Sequence, residues 1–410
     1  MTTAPPRRAA VAFIFVTIVL DMLAVGIVIP VLPKLVESFA GGDTAHASVV
    51  FGVFGTAWAV MQFVCSPILG ALSDRFGRRP VLLASMFGLS LDYVLMALAP
   101  TLGWLFVGRV ISGMTAASFS TANAYISDVT EPKDRAAAFG MVGAAFGLGF
   151  ILGPAVGGIL GAHGPRLPFW VAAGFSMVNA LYGLFVLPES LPPERRVPFT
   201  WARANPISSL RMLGSTPGLA PLAATHLLAG LGQNVYPAVF VLSTGYRFGW
   251  DERTVGLTLA GVGVMSMVVQ GGLVRPVVAR LGERNALILG LLGLTAGFFG
   301  YGLAPTPLWM WAMIPISALG GFYSPAAQGL MTQRVGASDQ GRLQGALSGL
   351  LGIASLVSPF LYTQTFARSI DGSLGFELPG APFLLAGVLL LAATAVGWAA
   401  THPAARTVPV

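Results

Sequence analysis

Twelve apolar runs, nearly free of charge, govern what this chain can become. They fall at roughly 11–32, 47–70, 80–99, 103–126, 136–160, 168–187, 217–243, 254–274, 285–304, 308–331, 343–366 and 381–400. A hydrocarbon core takes an α-helix of about 20 apolar residues. Only helices and closed barrels satisfy their backbone polar groups inside lipid. The pattern therefore predicts an all-α membrane protein with twelve transmembrane helices. Composition agrees: 10% of the 410 residues are charged and 55% are hydrophobic, against about 25% charged in soluble domains. All connections are short except 188–216, a Pro- and Arg-rich segment. It divides the chain into a six-helix bundle at 1–187, a cytoplasmic linker at 188–216 and a second six-helix bundle at 217–410.

Arginine and lysine set the orientation, because basic loops stay on the cytoplasmic side. With the N-terminus inside, 17 basic residues fall in cytoplasmic segments. Five fall outside: Lys34, Arg166, Arg247, Arg253 and Arg368. Arg109 lies within a span. The bias persists through both halves, so an even number of spans and two cytoplasmic termini are expected. The sequence pI near 10.0 then reflects topology. Basic residues spread over many loops are a poor nucleic-acid surface. Arg7 and Arg8 precede the first apolar run, but no small-residue cleavage site follows; the run reads as a retained first helix.

Several chemistries are excluded. Cys65 is the single cysteine, and it lies in the second span; no intrachain disulfide or cysteine metal cluster can form. Four dispersed histidines give no zinc signature, so no metal is expected. Neither lysine sits in a phosphate-cradling glycine loop, so the chain carries no ATPase. There is no nucleophile elbow or paired ligand set at membrane depth, and no enzyme is expected. Energy for uphill transport would come from an ion gradient, with no other cofactor.

An internal repeat points to transport. "RFGRRPVLLASMFGL" (75–89) matches "RLGERNALILGLLGL" (280–294) at an offset of 205 residues. Duplicated bundles with a midplane site are a recurring transporter plan. Short motifs sharpen this. G-x-L-x-D-R-x-G-R-R stands at Gly70, Leu72, Asp74, Arg75, Gly77, Arg78 and Arg79, and resembles the loop 2–3 signature of the major facilitator superfamily. "FGLGFILGPAVGG" resembles the helix 5 motif of its antiporter branch, at Gly149, Gly153, Pro154, Gly157 and Gly158. "LDMLAVGIVIPVLPKL", "GRVISGMTAA", "STGYRFGW" and "AAQGLMTQRV" look like the bacterial tetracycline/proton antiporters. The resemblance runs nearly end to end and is strongest in the first 190 residues.

The resemblance implies a clasp closing the cytoplasmic side, formed by Gly70, Asp74, Arg75, Gly77, Arg78 and Arg79. Arginines alone would pin the loop inside, whereas an acid contributes little to topology. Asp74 could instead face the positive N-terminus of a helix from the other half. Gly149, Gly153, Pro154, Gly157 and Gly158 are expected at the contact between halves, where small residues four apart let helices approach closely.

Asp21 in the first span and Asp92 in the third each carry an insertion cost of about 2.5–3.5 kcal/mol at a helix centre. Such acids usually face the bundle interior and serve a pathway. Both match acids of the tetracycline antiporters, and both are assigned to proton coupling, Asp21 also to substrate contact. Arg109 stays protonated; its expected part is to tune a nearby acid. On the seventh span, His226, Gly230, Gln233, Asn234 and Pro237 share one helical face, bordered by Tyr236. Gln233, Asn234, Tyr236, Gln270 and Gln328 are the further substrate-contact candidates.

The pattern breaks in the second half. The antiporters' helix 9 acid aligns with Leu294 and their helix 8 histidine with Ser266. No acid lies inside the last six spans, so composition excludes coupling through an acid there; the candidates are Asp21 and Asp92 in the first half, with His226 a distant third. The expected function is export of a small, amphipathic, tetracycline-like compound from the bacterial inner membrane, by alternating access in exchange for protons, as a monomer. The alternatives are an uncoupled facilitator or importer of another small metabolite, and a membrane sensor that binds without transport.

Overall fold

The computed structural model describes residues 7–116, 118–131, 135–200, 211–336, 339–372 and 375–402. Among them the regular structure is helical throughout. The elements are α1 (Arg7–Val28), α2 (Leu32–Phe39), α3 (Thr44–Phe76), α4 (Arg78–Leu98), α5 (Leu102–Thr115), α6 (Ser118–Val129), α7 (Arg135–Gly161), α8 (Leu167–Val186), α9 (Arg211–Ser215), α10 (Leu219–Gln233), α11 (Val235–Phe248), α12 (Glu252–Met267), α13 (Val274–Leu303), α14 (Pro307–Ala318), α15 (Tyr323–Thr332), α16 (Gln340–Ile370) and α17 (Ala381–Thr401).

Among the described residues, ten stretches are long and apolar enough to cross a membrane. One of them, Glu252–Leu303, contains two spans: α13 is broken at Gly282, where φ is 76° and ψ 162°. A further span is assembled from α14, a 3₁₀ turn at Leu319–Phe322, and α15. The twelve spans anticipated from the apolar runs are thus accounted for, several of them as broken helices.

The repeat has a backbone counterpart. Gly77, between α3 and α4, has φ 106° and ψ 157°, close to Gly282 at the same repeat position. Positive φ is open to glycine at little cost, so both copies keep the residue that the sharp junction needs. The α1/α2 break at residues 29–31 is matched by the α10/α11 break at Asn234. Pro154 inside α7 is matched by Pro359 inside α16.

The chain forms two compact units. Unit 1 contains Met1–Gly42, Ala57–Asn205 and Asp251–Ala260; unit 2 contains Asp43–Thr56, Pro206–Trp250 and Gly261–Val410. They differ from a plain six-plus-six division because α3 and α12 each contribute their N-terminal part to the other repeat's unit. Part of the 188–216 segment, 201–210, and the chain ends lie outside the described residues.

Inside unit 1, α7 seats on α1 through glycines. A Cβ on Gly153 would lie 2.5 Å from Gly26 Cα. On Gly149 it would collide with Met22, and on Gly157 with the Ile27 backbone. The spacing Gly149, Gly153, Gly157 places bare backbone on one stripe, and Gly26 answers it. Without a hydrophobic drive between helices in lipid, this packing holds them together. These three glycines therefore serve contacts within the first repeat. Gly158 differs: with Pro154 it abuts Glu252 and Gly256 of α12.

Candidate functional site

Unit 1 gathers ionisable groups at membrane depth. α4 supplies Asp92 and Tyr93, α5 supplies Arg109 and Ser112, α1 supplies Asp21 and α3 supplies Trp58. Asp92 is 0% exposed, and neither carboxylate oxygen has a hydrogen-bond partner. The Arg109 guanidinium is a charged neighbour and the Ser112 hydroxyl stands within hydrogen-bonding reach, but neither closes a bond of strict geometry. Gly108 makes room: a Cβ there would stand 3.1 Å from Asp92 Oδ1 and 2.5 Å from Met96 Cγ. The glycine before Arg109 thus lets α5 approach the acid on α4.

Arg109 has its guanidinium 5.5 Å from the Trp58 ring centroid, within cation–π range. Its Nε is buried and unpartnered. Asp21 is 8% exposed and makes no hydrogen bond or ion pair among the described residues. Tyr93, 2% exposed, lies within electrostatic reach of Asp21, Asp92 and Arg109. The structure thus brings three residues singled out from sequence around a tyrosine that was not. Tyr93, Ser112 and Trp58 gave no signal of their own, because aromatic and hydroxyl residues are common in spans. Tyr93's adjacency to Asp92 was the one available hint.

A second cluster fills the loop between α3 and α4. Arg78 donates from Nη1 to Asp74 Oδ1 at 2.5 Å, from Nη1 to Ser73 Oγ at 2.7 Å and from Nε to Asp128 Oδ2 at 3.0 Å. Glu189 accepts from the backbone N–H of Arg78 at 2.9 Å and of Arg79 at 3.3 Å. Those are orphan donors of the first turn of α4, and the anion sits at the positive end of the helix dipole. Ser190 donates to Asp128 at 3.2 Å, and Val197 N–H to the Asp74 carbonyl at 3.1 Å. The Gly77 Cα faces Glu189 so closely that a Cβ would collide with the carboxylate. Arg79 donates to the Leu184 carbonyl at 2.5 Å. Arg75 is exposed and stacks on Phe76, and Gly70 faces Ser120. The motif is thus bound to the ends of α6 and α8 within unit 1. Sequence reasoning missed Asp128 and Glu189, although "PES" immediately after the sixth apolar run was a visible acidic mark.

Unit 2 carries the amides. Gln233, Gln270 and Gln328 are exposed and Asn234 is half-buried. Polar side chains at membrane depth generally face the bundle interior or a watery cavity. Asn234 Nδ2 donates to Ser355 Oγ at 3.5 Å. Gln270 lies in a π-helical turn, Val268–Leu273, and its Cγ would be 2.9 Å from a Cβ on Gly321, in the 3₁₀ turn of the broken span. Such π turns cluster at functional sites. The proposed face on α10 is only partly open. Gly230 packs on Leu351, and His226 is 6% exposed. Tyr236 is half-buried. Its ring sits among Phe240, Phe298, Tyr301 and Phe383 at 5.2–6.3 Å, and its hydroxyl is enclosed. Its aromatic neighbours lie inside unit 2.

The profile of the Major Facilitator Superfamily matches residues 14–359. The chain belongs to that superfamily. Among the relatives of this facilitator-superfamily protein is the class C tetracycline resistance protein of Escherichia coli, 39% identical over 88% of this chain and 90% of the relative. The class D protein of Salmonella ordonez is 34% identical over 94% and 97%. Solved structures of similar fold include a nucleoside transporter, NupG, with TM-score 0.76 and 14% identity over 95% of this chain and 98% of that one. A bacterial homologue of the human lysosomal transporter Spinster has TM-score 0.76 and 17% identity, with full coverage of both chains. These two concern the fold alone. This superfamily member is a multi-pass membrane transporter of small molecules.

Proposed function

We propose that the chain exports a small amphipathic compound of the tetracycline kind from the bacterial inner membrane, by alternating access and in exchange for protons. The observation that carries this reading is Asp92: a carboxylate sealed at membrane depth, with Ser112 in reach but no bond of strict geometry, beside an arginine that does not neutralise it by direct pairing. An acid kept there without a structural bond is poised to exchange a proton. The relatives named as tetracycline resistance proteins support the substrate class.

Each residue then has a part. Asp92 and Asp21 take and release protons. Arg109 stays charged and attracts Asp92 whenever that carboxylate is ionised, so protonation loosens α4 from α5. Gln233, Asn234, Gln270 and Gln328, with Asp21, meet the polar edge of the substrate. The Asp74–Arg78 cluster closes the cytoplasmic side in one half of the cycle. Both termini are cytoplasmic and the working form is a monomer.

The test is tetracycline counterflow in proteoliposomes under an imposed pH gradient. Gradient-driven accumulation by the native protein and its loss in Asp92→Asn support the reading. Equal accumulation with and without the gradient indicates an uncoupled facilitator; no flux with retained binding indicates a sensor.

A further inference from the structure

The second repeat lacks acids inside its spans, yet it holds an ionisable group where the first repeat holds one. The repeat offset of 205 residues superposes Gly77 on Gly282, Pro154 on Pro359 and the α1/α2 break on the α10/α11 break. It also superposes Arg78 and Asp128, which pair at 3.0 Å, on Glu283 and Gln333, which hydrogen-bond at 2.7 Å. The same offset carries Asp21 onto His226. Each lies eight residues before its break, and each is buried, at 8% and 6% exposure.

His226 is held on one side only. The Tyr323 hydroxyl lies 2.6 Å from Nδ1 and 3.4 Å from the His226 carbonyl oxygen. Nε2 is buried and has no partner. If the tyrosine proton goes to Nδ1, Nε2 carries a hydrogen with no acceptor. If it goes to the carbonyl, Nδ1–H donates to the tyrosine oxygen and Nε2 is a bare lone pair. Either tautomer leaves an unmet polar atom, which costs about 1–3 kcal/mol; a merely structural histidine would be expected to satisfy both nitrogens.

Among the described residues of the elements packed on α10, no charged side chain is bonded to the ring. The elements packed on α10 are α9, α11, α15, α16 and α17. Their titratable or charged residues are Arg211, Tyr236, Tyr246, Arg247, Tyr323, Arg342, Tyr362 and Arg368. Arg247 is committed to the carbonyls of Tyr301, Gly302 and Ala304, Tyr246 to Glu377, Arg342 to Asp339 and Tyr362 to the Leu231 carbonyl. Tyr236 lies in the aromatic cluster. Arg211 and Arg368 are exposed. Among these described residues, Tyr323 alone hydrogen-bonds the imidazole.

We propose that His226 is a proton-binding residue of unit 2, the repeat counterpart of Asp21, with Tyr323 setting its tautomer. The proton comes from water when α10 and α15 part, and adds to whichever ring nitrogen lacks one. The imidazolium then donates from Nδ1 to the tyrosine oxygen and from Nε2 to water or substrate. Release returns the proton to water. This rests on the proton-exchange reading and extends it to the half that holds no acid inside its spans.

The other three histidines, His46, His163 and His402, are exposed and stand outside the proposed machinery. Replacing them with glutamine leaves His226 as a single reporter. Nitrogen-15 NMR of that protein in lipid nanodiscs, from pH 5 to 9, reads both ring nitrogens. The expected result is conversion from one neutral tautomer to the imidazolium within the range, with Tyr323→Phe moving the midpoint by about 0.5 pH unit or more. A ring fixed in one neutral tautomer throughout overturns the proposal. The second arm is tetracycline counterflow by His226→Gln, whose pH profile is expected to shift away from the native one while binding persists, Asp21 and Asp92 still exchanging protons. A native pH profile in that variant also overturns it. A ring that titrates in a protein moving no protons with tetracycline would refute the export reading while leaving the proton site standing.

Discussion

Asp92 shows how one residue can be costly to the fold and useful to the protein. Its oxygens are sealed and close no bond of strict geometry, and an unmet buried polar group costs about 1–3 kcal/mol. Asp92→Asn keeps the shape and removes the charge. The expected outcome is an unchanged or higher melting temperature in detergent, together with loss of gradient-driven exchange; a fall in stability would show that the carboxylate is structural. Gly108 is the complementary case. Gly108→Ala places a methyl 3.1 Å from the carboxylate and 2.5 Å from Met96, and overpacking of that kind costs about 1–3 kcal/mol. The melting temperature and the exchange rate should fall together.

At the scale of elements, the helix ends carry the arguments. Glu189 caps α4 from the far side of unit 1's chain. Glu189→Ala leaves the N–H groups of Arg78 and Arg79 unmet and should lower stability by about 1 kcal/mol, with Glu189→Gln recovering part of it in the same chemical or thermal unfolding measurement. Asp251 plays a local version at α12. Its Oδ1 accepts from Thr254 N–H at 2.8 Å, and hydrogen bonds from Thr254 hold its carboxyl below the usual value. A depressed acid stabilises the fold above its unfolded pKa, about 3.9, and that contribution disappears as pH falls through the lower folded value. The difference in melting temperature between native protein and Asp251→Ala should be constant above about pH 4 and close below it; a difference that persists in stronger acid would refute the cap.

For the whole molecule, the basic residues make the strongest claim. If they lie on the cytoplasmic side, a cysteine at Glu194, in a background with Cys65 replaced, reacts with a membrane-impermeant maleimide in inside-out vesicles and stays protected in intact cells. Labelling of intact cells would reverse the assigned orientation. Duplication also has a consequence at this scale. Equivalent backbone features recur at Gly77 and Gly282, while the side chains on them diverge: Arg78 pairs with an acid, whereas Glu283 bonds an amide. The two repeats share a scaffold and differ in chemistry.

Much of this was legible in the chain itself. Apolar runs of membrane length fix the spans, because lipid gives a backbone no partner but its own. The repeat and the motif glycines were visible because they answer to backbone geometry, which a sequence records directly. Side-chain company was not. That four aromatic rings surround Tyr236, whether Gly153 faced its own repeat, which acids held Arg78, and that Tyr323 meets His226 all depend on contacts between residues far apart in the chain. Helical periodicity gives a residue's face, but packing alone selects what that face meets, and in a chain this uniformly apolar nearly every face looks alike until the helices are assembled.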